Sequence, residues 1–237
     1  MGNGIIDIHS HILPGVDDGA VSWEECRQML EMAYAQGIRT IIATPHYRVH
    51  QDMDAIRMKA EQAAQEAARI AADFQVYLGQ EVLYFESMTE HLKEGKIFTM
   101  AGSRYVLAEF MTDAAYKVIY QAVRKLLMAG YHPIIAHVER YIALRKEEYL
   151  QELVKIGCHL QMNYCSLEGN VWDARVRWCR KQVQSGLIYA MGTDAHHVSY
   201  RTPVIAKSLR WLNHHIEAEY VANMTEKHAQ KILFSNL

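Results

Sequence analysis

Short apolar runs punctuate this chain at residues 5–8, 40–44, 75–80, 105–110, 133–136, 159–163 and 188–192. Most are nearly continuous in Ile, Val, Leu, Tyr or Ala. Continuous runs of this length read as strands buried on both faces, the signature of a parallel sheet. Longer segments with helical spacing lie between them. Ser22-Trp23-Glu24-Glu25 forms a capping box for a helix that stops near Gly37. Residues 53–73 are Ala-rich, with charges spread along them, and predict a long helix. Residues 116–129, 147–156 and 171–184 predict helices ending at Gly130, at Gly157 and near Gly186; residues 204–215 and 225–234 predict two more. Seven strand-then-helix units predict an α/β fold of the closed or nearly closed (β/α)7 barrel kind. An open doubly wound sheet is the alternative, but neither G-x-G-x-x-G nor a P-loop supports it. No linker, repeat or low-complexity stretch interrupts the pattern, so residues 1–237 read as one domain.

Composition narrows the function more than the fold. Of 237 residues, 50% are apolar and 22% charged, enough to bury a core without disulfides. A net charge of −2 leaves no broad basic face for nucleic acid. No run approaches the roughly 20 apolar residues of a membrane helix. The N-terminus lacks the basic-then-apolar pattern of a secretory leader, and MGNGII lacks the Ser or Thr of a myristoylation motif. The four cysteines show no C-x-x-C spacing, which fits a reducing, cytoplasmic setting. The outlier is histidine, with 13 residues.

Those histidines fall beside acids where the apolar runs end. The first run enters His9-Ser10-His11, with Asp17-Asp18 in the loop beyond; the second enters Thr44-Pro45-His46. The third ends in Gln80-Glu81, the fourth carries Glu109, and the fifth ends in His137-Val138-Glu139-Arg140. The sixth ends in Gln161-Met162-Asn163 and the seventh in Asp194-Ala195-His196. In an α/β barrel these ends share one rim, where active sites are built. Carboxylates gathered there would repel one another, and acids at the ends of apolar runs would be costly unpaired. Divalent cations resolve both difficulties. The mixed N/O donor set suits Mn, Fe or Zn and carries no thiolate signature.

Taken in order, DIHSHILPGVDDG, ATPH, GQEV, AEF, IIAHVERY, LQMN and GTDAH resemble the polymerase-and-histidinol-phosphatase (PHP) superfamily. The nearer resemblance is to its bacterial manganese-dependent protein-tyrosine phosphatases. It spans residues 5 to 203. It implies a distorted TIM-like (β/α)7 barrel holding three divalent ions, manganese first, with iron or zinc as alternatives. Carried over by motif, His9, His11, Glu81 and Asp194 would hold the first ion. Glu81 would bridge to a second, shared with Glu109 and His137. Asp18, His46 and His196 would hold the third. Arg140 and Arg201 match arginines that grip the phosphate. Asp7 would orient a ligand imidazole, and Asn163 would hydrogen-bond at the rim. The doubled His196-His197 leaves open which ring coordinates.

The implied reaction is phosphomonoester hydrolysis through water activated at the metals, with His46, His196 or a metal-bound water as candidate proton donors to the leaving group. A cysteine-class mechanism needs Arg six positions after Cys. Those positions hold Met32, Tyr164, Val171 and Ser185. The resemblance further implies a phosphotyrosine protein substrate, a tyrosine autokinase of capsule or exopolysaccharide synthesis, with neither nucleic acid nor membrane as partner. It leaves room for a homo-oligomer. Two alternatives use the same residues: a small-molecule phosphatase of the histidinol-phosphate kind, and a non-catalytic metal-binding regulator.

Overall fold

The continuous apolar runs form parallel strands. The computed structural model describes residues 4–235. Met1–Asn3, where the leader and myristoylation readings begin, and residues 236–237 lie outside the described residues. Among those described, β1 (Ile5–Ser10), β2 (Ile38–Ala43) and β3 (Gln75–Leu78) make one sheet. A second sheet holds β4 (Glu81–Leu83), β5 (Tyr105–Glu109), β6 (His132–Ile135), β7 (His159–Asn163) and β8 (Ala190–Gly192), in that order. The helices are α1 (Trp23–Ala35), α2 (Met53–Ile70), α3 (Met88–Lys93), α4 (Tyr116–Met128), α5 (Glu147–Lys155), α6 (Ala174–Gln184), α7 (Ala206–His215), α8 (Ala218–Ala222) and α9 (His228–Phe234).

The run at 75–80 gives only β3, and a further strand, β4, follows it. A Cβ at Gly79 would stand 2.9 Å from Met100 Sδ and 3.3 Å from Met100 Cα, so a larger residue there would press on Met100. Beyond that bend β3 stays with the first sheet and β4 opens the second. The sheets are bridged where the polar residues cluster. His11 N–H donates to Ala195 O (2.8 Å) and Asp194 N–H to His9 O (2.7 Å). On the other side Glu81 N–H donates to Pro45 O (3.2 Å) and Tyr47 N–H to Glu81 O (2.8 Å).

Two apolar layers support that polar end. Helices pack on the outer sheet faces; α1, for example, buries Cys26, Met29, Leu30 and Ala33, one stripe of a 3.6-residue period. Its capping box is half formed: Ser22 Oγ accepts from Glu25 N–H (3.2 Å), but the Glu25 carboxylate takes Val21 N–H (2.9 Å). The inner layer gathers Ile6, Ile8, Ile42, Leu107, Ile134 and Ala190 against Ile232 of α9. These side chains lie beneath the polar cluster and exclude water from below it. Between Asp7 and Ser10, β1 carries one residue more than β2 opposite. This bulge re-aims the strand, so that Ile6 and Ile8 fill the inner layer while His9 still turns toward the site.

Candidate metal centre

All nine residues expected to hold metal, from six strand ends and the loops beyond, converge at that polar end. Around the first position, His9 Nε2 and His11 Nε2 stand 3.2 Å apart, and Glu81 Oε2 lies 3.1 and 3.2 Å from them. Asp194 Oδ1 lies 3.5 Å from both nitrogens, and all four side chains are buried. Beside them His137 Nε2 sits 2.8 Å from Glu81 Oε1 and 3.4 Å from Glu109 Oε1. His46 Nδ1 faces the same acids, 3.3 Å from Glu81 Oε2 and 4.0 Å from Glu109 Oε2. Toward solvent, Asp18 lies 3.4 Å from His46 Nε2 and 3.6 Å from His196 Nε2. Three donor groups are compact enough to hold an ion: His9–His11–Glu81–Asp194, His46–Glu81–Glu109, and His11–Asp18–His46–His196. The first is the set carried over by motif. In the second His46 stands where His137 was expected, and His11 joins the third.

The donor chemistry fits divalent cations. His196 Nε2 is buried without a hydrogen-bond partner. Burial opposes charge on Glu81, yet His9, then hydrogen bonds from His11 and His137, hold its carboxyl well below the usual range. Burial likewise opposes charge on His11, but Asp17 and Glu81 push that imidazole up to about 10. The acids therefore draw positive charge onto a buried ring, a demand that a cation meets directly. Burial and the neighbouring His11 and Arg201 keep His196 neutral, lowering it to about 4, so its bare nitrogen is a ready ligand. The doubled histidine is resolved as well: His197 Nδ1 turns away to Glu25 (3.0 Å).

Asp194 also anchors both arginines. Arg140 donates to Asp194 Oδ2, and Arg201 Nη2 lies 2.5 Å from Oδ1. The neighbour Glu139 does not compete for Arg140; its carboxylate is buried, accepting from Asn163 N–H (3.1 Å) and Ser166 Oγ–H (2.7 Å). Asn163 donates from Nδ2 to Asp194 Oδ2 (2.9 Å). His137, Asp194 and Arg201 all adopt left-handed backbone conformations, with φ of 31°, 53° and 48°. Non-glycine residues held this way concentrate at sites where surrounding contacts over-determine the backbone.

Asp7 does not orient an imidazole. It accepts from the backbone N–H of His9 (3.2 Å) and Thr193 (2.9 Å) and from Thr193 Oγ–H (2.6 Å), tying β1 to the turn after β8. Two residues without an assigned role do the orienting. Asp17 Oδ2 accepts from His11 Nδ1 (2.7 Å) and from His46 N–H (2.8 Å). Gln161 Oε1 lies 3.1 Å from His9 Nδ1 and accepts from His137 N–H (2.7 Å). Alternation along β7 puts Gln161 and Asn163 on one face; adjacency to Asp18 was the only sequence signal for Asp17.

With this geometry in place, comparison with known proteins is decisive. Residues 5–234 match the family described as capsular polysaccharide synthesis, CpsB/CapC. The chain belongs to the CpsB/CapC family. The tyrosine-protein phosphatase CpsB of Streptococcus pneumoniae is 31% identical to this CpsB/CapC member over 242 residues, covering 98% of this chain and 100% of the relative. The tyrosine-protein phosphatase YwqE of Bacillus subtilis is 31% identical over 226 residues, covering 94% and 89%. A crystal structure from work on YwqE of B. subtilis and CpsB of S. pneumoniae, described as unique metal-dependent tyrosine phosphatases, superposes with a TM-score of 0.86 at 31% identity, covering 97% of this chain and 94% of that one. A phosphotriesterase homology protein of Escherichia coli, with phosphate in its active site, shares only the fold, at TM-score 0.64 and 9% identity.

Proposed function

We propose that this CpsB/CapC protein is a metal-dependent protein-tyrosine phosphatase acting on a tyrosine autokinase of capsule or exopolysaccharide synthesis in the cytoplasm. On this reading residues 1–237 are one PHP-type domain, whose two sheets close as a distorted (β/α)7 barrel. The observation that carries it is the meeting of three compact donor groups and two arginines at one end of the parallel strands. Tyrosine-protein phosphatase relatives aligned over nearly the whole chain support the same substrate class.

Three divalent ions, manganese foremost, are assigned to His9, His11, Glu81 and Asp194; to Glu81, Glu109, His137 and the adjoining His46; and to Asp18, His46 and His196. Such ions supply Lewis acidity toward the phosphoryl oxygens and acidify water toward neutral pH. Arg140 and Arg201 bind the phosphate, because planar guanidinium forks match its oxygens. Asp194 holds both forks at the site before substrate arrives. Proton transfer to the tyrosyl oxygen is assigned to His46, the less buried of the two candidate rings, since His196 is held neutral and has no proton to give at its free nitrogen. No thiolate competes for the role of nucleophile, since desolvation pushes all four thiols, Cys26, Cys158, Cys165 and Cys179, above the usual range.

The test is metal analysis of the purified protein beside hydrolysis of an aryl phosphate with and without Mn²⁺. Phosphotyrosyl peptide and histidinol phosphate are then compared as substrates. His11→Ala and Glu109→Ala should lose metal and nearly all activity. Arg140→Ala should keep metal yet lose about 10²–10³-fold in kcat, the cost of one charge-stabilising group. Wild-type turnover in Glu109→Ala, or activity indifferent to divalent ions, would refute the assignment.

A further inference from the structure

Exposed apolar side chains stand two positions beyond three functional residues: Leu83 beyond Glu81 on β4, Met111 beyond Glu109 at the end of β5, and Ile142 beyond Arg140 in the turn after β6. They are 44%, 62% and 69% exposed. Single exposed hydrophobics need no explanation, but a repeated offset from the reaction centre does. Alternation puts Leu83 on the same face as Glu81, and the register pairs Leu83 with Glu109. At about 3.3 Å per residue, Leu83 springs about 6–7 Å further along β4 than Glu81, while Met111 and Ile142 stand in the loops that continue from β5 and β6.

The backbone joins the three into one lip. Tyr84 N–H donates to Glu109 O (2.8 Å), Phe110 N–H to Tyr141 Oη (3.2 Å) and Ile142 N–H to Thr112 O (3.1 Å). Beneath the lip the rings of Tyr84 and Phe110 lie 5.6 Å apart, and those of Phe110 and Tyr141 6.0 Å apart. The other side of the opening is charged, carrying Asp18 and Arg201. A phosphate held by Arg140 and Arg201 would place whatever bears it beside this lip.

We infer that Leu83, Met111 and Ile142 receive the aromatic ring of the substrate and set a preference for aryl over alkyl phosphomonoesters. This inference rests on the phosphatase reading above and adds the element that selects the leaving group. Its occupant is the phenol ring itself, the first part of a phosphotyrosyl substrate above the phosphate.

The experiment titrates metal-loaded, full-length protein with phenylphosphonate and with methylphosphonate, which are not hydrolysed. Leu83→Ser and Ile142→Ser should each weaken phenylphosphonate about 5–10-fold, the scale of a partly lost aliphatic contact, and leave methylphosphonate within about twofold. Both substitutions are at exposed positions, and an unchanged melting temperature confirms folding. The same variants should lose kcat/KM on phenyl phosphate and on a phosphotyrosyl peptide in equal proportion. Equal weakening of both phosphonates, or no weakening of either, would overturn the inference. Loss on the peptide alone would also overturn it, because the lip would then read residues flanking the tyrosine. Wild-type protein that binds neither phosphonate and hydrolyses neither ester would instead overturn the phosphatase reading, and the lip with it.

Discussion

Asp17 shows how one side chain sets a site it does not belong to. Its carboxylate fixes the His11 ring through Nδ1 and holds the backbone of His46 from a different strand end. It accepts from Gly19 N–H as well (3.0 Å). Burial works against its charge, but the hydrogen bond and charge of His11 more than offset this and hold its carboxyl well below the usual range. An ionised partner on the far nitrogen fixes a ligand histidine's tautomer and raises its basicity. Asp17→Asn keeps the shape and removes the charge. It should weaken divalent-metal affinity about 10–100-fold, the usual cost of such a partner. Competition against a chelator of known affinity would read this, and unchanged affinity would leave Asp17 with only a structural role in its loop. Gln161 acts in parallel on His9 and on the strained backbone of His137.

At the scale of strands, the approach of β8 to β1 brings ligands from opposite ends of the chain together. It depends on Gly192. A methyl group there would sit 2.7 Å from His9 Cβ and 2.9 Å from Gln161 Nε2. The first is a backbone-fixed atom that cannot step aside. Gly192→Ala should therefore destabilise the fold by about 1–3 kcal/mol, an overpacking cost, and reduce bound metal beyond what the lost stability explains. Thermal melting together with metal content would separate the two effects. The same strands show what the sequence made legible. Apolar continuity marked the sheet, and glycines marked the ends of α1, α4, α5 and α6, because those signals are local. The rim acids and histidines were legible because they interrupt those runs. The break at Gly79 and the bulge in β1 were not, since each answers to a distant contact: Met100 in one case, the register with β2 in the other. Asp17 and Gln161 escaped for a similar reason. A side chain that acts through another residue differs from an ordinary loop Asp or strand Gln only in three dimensions.

Across the whole molecule the two ends of the strands are chemical opposites, and they should respond to different conditions. The end that gathers the donor groups buries acids that call for positive charge, so on the metal assignment proposed above a chelator should lower the melting temperature by about 5–10 °C. This takes about 2.7 kcal/mol of linkage at a hundredfold excess of metal over Kd and about 2–4 °C per kcal/mol for a chain of this size. Among the described residues, the other end gathers a stack of rings. His159 begins β7 and packs against Tyr189 at 3.9 Å between centroids and Tyr105 at 5.5 Å. Burial, then the nearby His132, His228 and Lys231, lowers His159 to about 4. An unfolded histidine titrates near 6.5, so below that pH the unfolded chain binds a proton that the native chain refuses until about pH 4. The unfolded state then carries more protons, and stability falls as pH drops through that window. His159→Phe keeps a ring against Tyr189 and removes the titration. With metal stripped from both proteins, wild type and variant should melt alike above pH 7. At pH 5 the wild type should have lost about 4–8 °C more than the variant, a difference of roughly 2 kcal/mol. Parallel melting curves across that range would mean that His159 is protonated in the folded protein, and that the ring stack is open to water.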